Sequence, residues 1–127
     1  MSSSEISRPA EAPTQTPLVL AIQEAKWEPT GFNGVEAAVL WGDPESDTRG
    51  GELLKMDGGL ASPPHKHNYD ERVLVISGTF VLIQPAGNDQ RLRAGSYYYL
   101  PANVMHASRC DLGPICLVYS EVIPLSK

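Results

Sequence analysis

Three histidines occur in this 127-residue chain: His65, His67 and His106. Two of them form the stretch His65-Lys66-His67. On extended backbone, residues i and i+2 face the same side, so these two imidazoles reach one ion together. Glu71 follows His67 by four residues. It stays on that side if the chain remains extended, although Asn68-Tyr69-Asp70 allows a bend between them. His106 is remote in sequence and has to come from a facing strand. Imidazole nitrogens with one carboxylate suit Fe, Mn, Ni, Cu, Co or Zn, whereas Ca and Mg prefer all-oxygen shells. Four protein ligands on an octahedral ion leave two adjacent positions for water, dioxygen or a bidentate substrate, and such an ion polarises a carbonyl or enol oxygen. Taken singly, these residues say less. A lone His is more often a surface or satisfied core residue, and His-x-His alone is a weak motif.

Their setting is more specific. Gly59, His65, His67, Glu71 and Gly78 fit the pattern Gly-x5-His-x-His-x3-Glu-x6-Gly at every spacing. Sixteen residues later, Gly95, Pro101 and His106 fit Gly-x5-Pro-x-Gly-x2-His-x3-Asn, with Asn103 and Cys110 at the two positions that differ. In these two motifs the chain resembles the cupin superfamily from about residue 50 to 123. Asn103 in place of Gly is a mild departure, because Asn tolerates the left-handed conformation. Cys110 in place of Asn shares strand parity with His106; it is read as core filling, with a role behind the ligands or as a redox-sensitive thiol as alternatives.

The resemblance implies an all-β double-stranded β-helix, a jelly-roll barrel with one divalent metal ion inside. It implies His65, His67, Glu71 and His106 as the ligands, with iron as the leading metal and Mn, Ni, Zn, Cu or Co as alternatives. It also implies a homodimer with an N-terminal strand exchanged across the interface, a part for which Leu18 to Ile22 is the candidate. The chain is most similar to short single-domain members that include diketone-cleaving and other dioxygenases. The activity expected is therefore that of a metal-dependent dioxygenase or other oxidoreductase on an enolisable or phenolic small molecule. The alternative is a non-catalytic sensor or ligand-binding module, such as the metal-binding half of certain zinc-dependent anti-sigma factors. The lack of a helical partner segment weighs against that alternative. A third reading is a metal that only stabilises the fold.

The elements that must position these groups read as short strands. Leu18 to Ile22, Val35 to Trp41, Glu52 to Met56, Arg72 to Ser77, Thr79 to Ile83, Arg91 to Arg93, Ser96 to Leu100, Val104 to Cys110 and Ile115 to Ile123 are apolar or β-branched stretches. They are separated by Gly, Pro, Asn and Asp, as in a sandwich or barrel. Val35 to Leu40 can be argued as helix, but its flanking glycines and short length favour strand. Residues 1–17, rich in Ser, Pro, Glu and Thr, read as a flexible tail before a single domain over 18–127.

Alternation along Tyr97-Tyr98-Tyr99 sends Tyr98 to one face and its neighbours to the other, read as core and interface packing. Tyr69 shares parity with His67 and Glu71, which allows it near the metal or in a loop. Pro63-Pro64 stiffens the approach to His65. Arg72 and Arg109 could meet an acidic substrate, but solvated surface is the default reading.

Hydrophobic residues make up 42% and charged residues 20%, ordinary for one globular domain with its own core. A net charge of −5 without a Lys/Arg cluster argues against a nucleic-acid partner. No apolar run is long enough to span a membrane. The N-terminus has no apolar segment of the secretory kind, so the expected location is cytoplasmic and the expected partner a small molecule. Two cysteines are too few for a disulfide-dependent scaffold; pairing Cys110 with Cys116 is possible but nothing in the sequence requires it, and they read as two buried thiols. No Ser-His-Asp arrangement, phosphate-cradling loop or Cys-x-x-Cys ribbon is present.

Overall fold

The structure, a computed structural model, describes residues 16–46, 48–85 and 87–125. Its regular elements are nine strands: β1 (Glu28–Pro29), β2 (Val35–Gly42), β3 (Gly50–Met56), β4 (Tyr69–Ser77), β5 (Phe80–Ile83), β6 (Gln90–Leu92), β7 (Tyr97–Leu100), β8 (Ala107–Cys110) and β9 (Cys116–Pro124). Helical structure among the described residues is limited to two single 3-10 turns, and no helix is long and apolar enough to cross a membrane. The strands form a six-stranded sheet, β1-β2-β3-β9-β4-β7, and a three-stranded sheet, β6-β5-β8, with every pairing antiparallel. This is the jelly-roll architecture expected of a cupin.

Alternation decides which side chains face inward. Along β9, Cys116, Val118, Ser120 and Val122 are buried, while the residues between them are half-exposed. Along β4, Val73 and Val75 are buried and Arg72 and Leu74 are not. The apolar core is built from Val73, Val75, Phe80, Cys110, Cys116 and Val118, with Leu54, Met56, Leu92 and Tyr98 packed against it. Tyr98 turns inward and stacks near Phe80, while Tyr97 and Tyr99 stay exposed on the outer face. A segment that belongs to neither ladder closes the barrel beside β8. Ser62 N donates to Ser108 O at 2.8 Å, and His65 and His106 exchange both backbone hydrogen bonds at 2.8 and 2.9 Å.

Gly78 makes the crossing from β4 to β5. It has a φ of 81°, and a Cβ there would meet Ile115 O and Cys116 Cα at 2.7 and 2.8 Å. Both the left-handed conformation and the contact exclude a side chain.

Several expectations need correction. The stretch from Leu18 to Ile22 is not a strand: residues 18–21 are irregular and Ile22–Glu24 forms a 3-10 turn. Glu24 Oε1 accepts a hydrogen bond from Ala21 N, and Glu24 N donates to Ala21 O. These local bonds replace a ladder, and the segment borders Leu40, Trp41 and Leu53 on the outside of the six-stranded sheet. Val35–Gly42 is strand, as favoured over helix. β4 begins three residues before the expected Arg72, so Tyr69 and Asp70 are extended and carry Glu71 in register with Val122 and Leu100. β8 begins at Ala107 because residues 102–103 turn and His106 makes only an isolated bridge. Of the expected tail, only Thr16 and Pro17 fall among the described residues.

Cys110 and Cys116 are buried, as expected, but they are not separate thiols. They form a disulfide across Cα atoms 5.8 Å apart, which ties β8 of one sheet to β9 of the other. Free-thiol and ligand-supporting roles for Cys110 fall with it. Closing a loop with a sequence separation of 6 constrains the unfolded chain by about 2 kcal/mol. Replacing both cysteines with Ala is expected to lower stability by that amount in urea unfolding, and excess reductant is expected to remove most of the difference.

Candidate metal centre

The seam between the two sheets brings the three histidines together. Residues 62–65 and 106–108 are held antiparallel, so His65 and His106 stand side by side. Asn103 N donates to His67 O at 2.7 Å, which fixes the chain two residues on. The candidate ligand nitrogens of His65, His67 and His106 lie within 4.8 Å of one another. Their ring centroids are 4.4 to 5.0 Å apart. His106 is buried and the other two are half-buried.

Two tautomers follow from the hydrogen bonds. His65 Nδ1 lies 2.8 Å from Pro63 O, and His106 Nδ1 lies 3.0 Å from Val104 O. A carbonyl only accepts, so each Nδ1 carries the proton and each Nε2 keeps its lone pair. This is the arrangement by which backbone carbonyls orient imidazole ligands. Burial pushes the His106 pKa down, with His65 acting in the same direction and the Val104 carbonyl opposing it. A neutral imidazole is the form a metal ion takes.

Glu71 reaches the same place from β4. Its Oε1 is 4.0 Å from His67 Nε2, and its Oε2 accepts a hydrogen bond from Ser120 Oγ at 3.0 Å. Burial raises its pKa, against the opposing effects of Ser120 and His65. The donor set of three imidazoles beside one desolvated carboxylate fits a divalent transition metal. The structure thus brings three of the four residues together, the imidazoles of His65, His67 and His106, while Glu71 stands next to His67 outside that mutual cluster.

The supporting residues were only partly legible. Asp70 lies in extended strand rather than in a bend and anchors the turn before His106: Oδ1 accepts from Ala102 N and Oδ2 from Tyr99 OH, both at 2.9 Å. Asn103 has a φ of 67°, the left-handed conformation that Asn, like Gly, tolerates. Tyr69 stacks on His67, with centroids 4.6 Å apart and planes 16° from parallel. Arg72 is exposed, as expected of surface, while Arg109 is half-buried and pairs with Asp111 at 3.3 Å.

Tyr69 also lines a cavity of about 680 Å³ between β1–β3 and residues 60–62. Glu52, read in the sequence only as the start of a strand, lines it too. On β3 it shares the inward face with Leu54 and Met56, and a lone carboxylate in such an alternation was the available signal. Its Oε1 is buried without a hydrogen-bond partner. Ser120, directly opposite in the ladder, already donates its proton to Glu71.

Comparison with known proteins bears on the fold and the family. Residues 15–124 match the family model described as the ChrR cupin-like domain. The chain belongs to that family of cupins. No curated protein matches it. Among solved structures, it is similar to the polyketide cyclase RemF from Streptomyces resistomycificus (18% identity, 85% of this chain and 80% of that one, TM-score 0.73). It is similar to a predicted oxalate decarboxylase from Thermotoga maritima (21%, 84% and 99%, 0.71). It is also similar to a chain in the Rhodobacter sphaeroides complex of SigE with the anti-sigma ChrR (25%, TM-score 0.64). That match covers 80% of this cupin but only 51% of the other chain.

The unpartnered carboxyl of Glu52 gives a pH signature. Burial first, then the charges of Glu45 and Glu71, push its pKa from 4.5 up to about 7. A carboxyl whose folded pKa is raised leaves stability unaffected below the unfolded value and lowers it progressively as pH rises through the folded one. Glu52→Gln is therefore expected to match the wild type near pH 4 and to be more stable by about 1 kcal/mol near pH 8, allowing for partial exposure. Thermal melts at the two pH values check this.

Proposed function

We propose that this cupin is a metal-dependent enzyme acting on a small molecule, with one divalent ion held by His65, His67, His106 and Glu71 and iron as the leading metal. The observation that carries the reading is the convergence of three imidazoles, two of them with Nδ1 engaged by a carbonyl and Nε2 left to ligate, next to a cavity large enough for a substrate. Cavities of several hundred Å³ are the usual size for small ligands. A redox-active ion bound there supplies Lewis acidity and a means of engaging dioxygen. The chain's own residues supply the rest. The carbonyls of Pro63 and Val104 hold two imidazoles in their ligating tautomer. Ser120 holds Glu71 beside His67, and Tyr69 stands between His67 and the cavity, stacked on the one and lining the other. An oxidation or cleavage of an enolisable or phenolic substrate suits this combination. A homodimer and a cytoplasmic location complete the reading.

Membership of the ChrR cupin-like family favours a second reading, in which the same centre organises a binding or sensing module. Recovery of a stoichiometric regulatory protein from the full chain favours this reading. A stable mixture of the chain alone with its small ligand favours the first.

Elemental analysis is expected to give one transition-metal ion per chain, lost in His67→Ala. In Glu71→Gln the affinity is expected to fall by about ten- to a hundredfold. The iron-loaded chain is expected to take up oxygen with a member of a panel of β-diketones, flavonols and thiols. No uptake with any reconstituted metal would overturn the enzymatic reading.

A further inference from the structure

The cavity beside the histidines has a charge character of its own. Its apolar wall includes Val35, Leu54 and Met56; Tyr69 stands on the side toward His67; Glu45 and Glu52 supply two carboxyl groups. Among the described residues that line it there is no Lys, Arg or His. Glu45 is exposed at the surface, whereas Glu52 projects from the inner face of β3 with one oxygen buried and unpaired. A buried acceptor without a partner costs free energy that an incoming donor recovers. An incoming anion would lose its water with no cation to replace it, beside carboxylates that repel it.

Resting on the small-molecule reading above, we propose that Glu52 is the specificity-determining residue of this cavity. It admits uncharged or cationic, partly apolar molecules that bring a hydrogen-bond donor, and it turns away carboxylates and phosphates. The ligand spans from the metal centre, past Tyr69, to the Glu52 carboxyl, with its apolar part against Leu54 and Met56.

Three molecules that share one metal-binding end and differ in charge at the other test this: catechol, dopamine and 3,4-dihydroxybenzoate. They are titrated into the zinc-loaded full chain carrying 13C-labelled Leu and Met methyl groups, near pH 8, above the value of about 7 for Glu52. Catechol and dopamine are expected to shift the Leu54 and Met56 methyl signals, with 3,4-dihydroxybenzoate binding at least about tenfold more weakly. Glu52→Gln is expected to narrow that gap to about threefold or less. Glu52→Ala serves as a second neutral variant should the amide disturb folding. Equal binding of all three, a gap unchanged in a folded neutral variant, or no methyl shift with any of them overturns the proposal. Oxygen uptake separates it from the broader reading. Charge discrimination without uptake sinks the enzyme alone, and uptake without discrimination sinks this inference alone.

Discussion

Burying ionisable groups inside a β-barrel is the constraint around which this structure is arranged. A desolvated imidazole or carboxyl is costly unless it is neutral, hydrogen-bonded or bound to an ion. The barrel meets each case with a specific device. His65 and His106 hand their Nδ1 protons to nearby carbonyls, and burial keeps His106 neutral. Glu71 takes the one hydroxyl proton that Ser120 has to give. Glu52, across the ladder from the same serine, is left without a partner and is held toward its neutral form instead. The apolar end of the barrel, with Val73, Val75, Phe80 and Val118, carries no such burden. The polar end is where chemistry is possible, because its groups are satisfied by orientation rather than by water.

Much of this was readable from the chain because it depended on local periodicity. Two histidines one residue apart share a face whether the backbone is a full strand or, as here, an extended segment with one bridge. Asn103 was legible through a conformational preference. Glu71 hung on the path through Asn68 to Asp70, and the early start of β4 resolved it. What could not be read depends on long-range register. The pairing of Cys110 with Cys116 requires β8 and β9 to approach across two sheets, and six residues of separation do not dictate that. The role of Asp70 arises only once β7 lies beside β4. Glu52 looked like an ordinary strand residue because its significance comes from Ser120 being opposite it and already engaged. Leu18 to Ile22 read as strand from apolarity alone, while a turn closed by Glu24 took its place.

The family to which the chain belongs includes a domain named for an anti-sigma factor, yet its fold is similar to that of a polyketide cyclase with a comparable span. A barrel of this kind fixes where ligands converge but not what they do. In this chain the lining of the cavity is apolar and acidic, a composition set by β3 and by the turn before it rather than by the motif residues.

The two reciprocal backbone bonds between His65 and His106 make this pair of residues a rung of the seam that closes the barrel. Neither residue can slide along its own segment without carrying the other. Their two amides therefore open to solvent as one local unit and exchange hydrogen together, at the rate at which the seam itself parts.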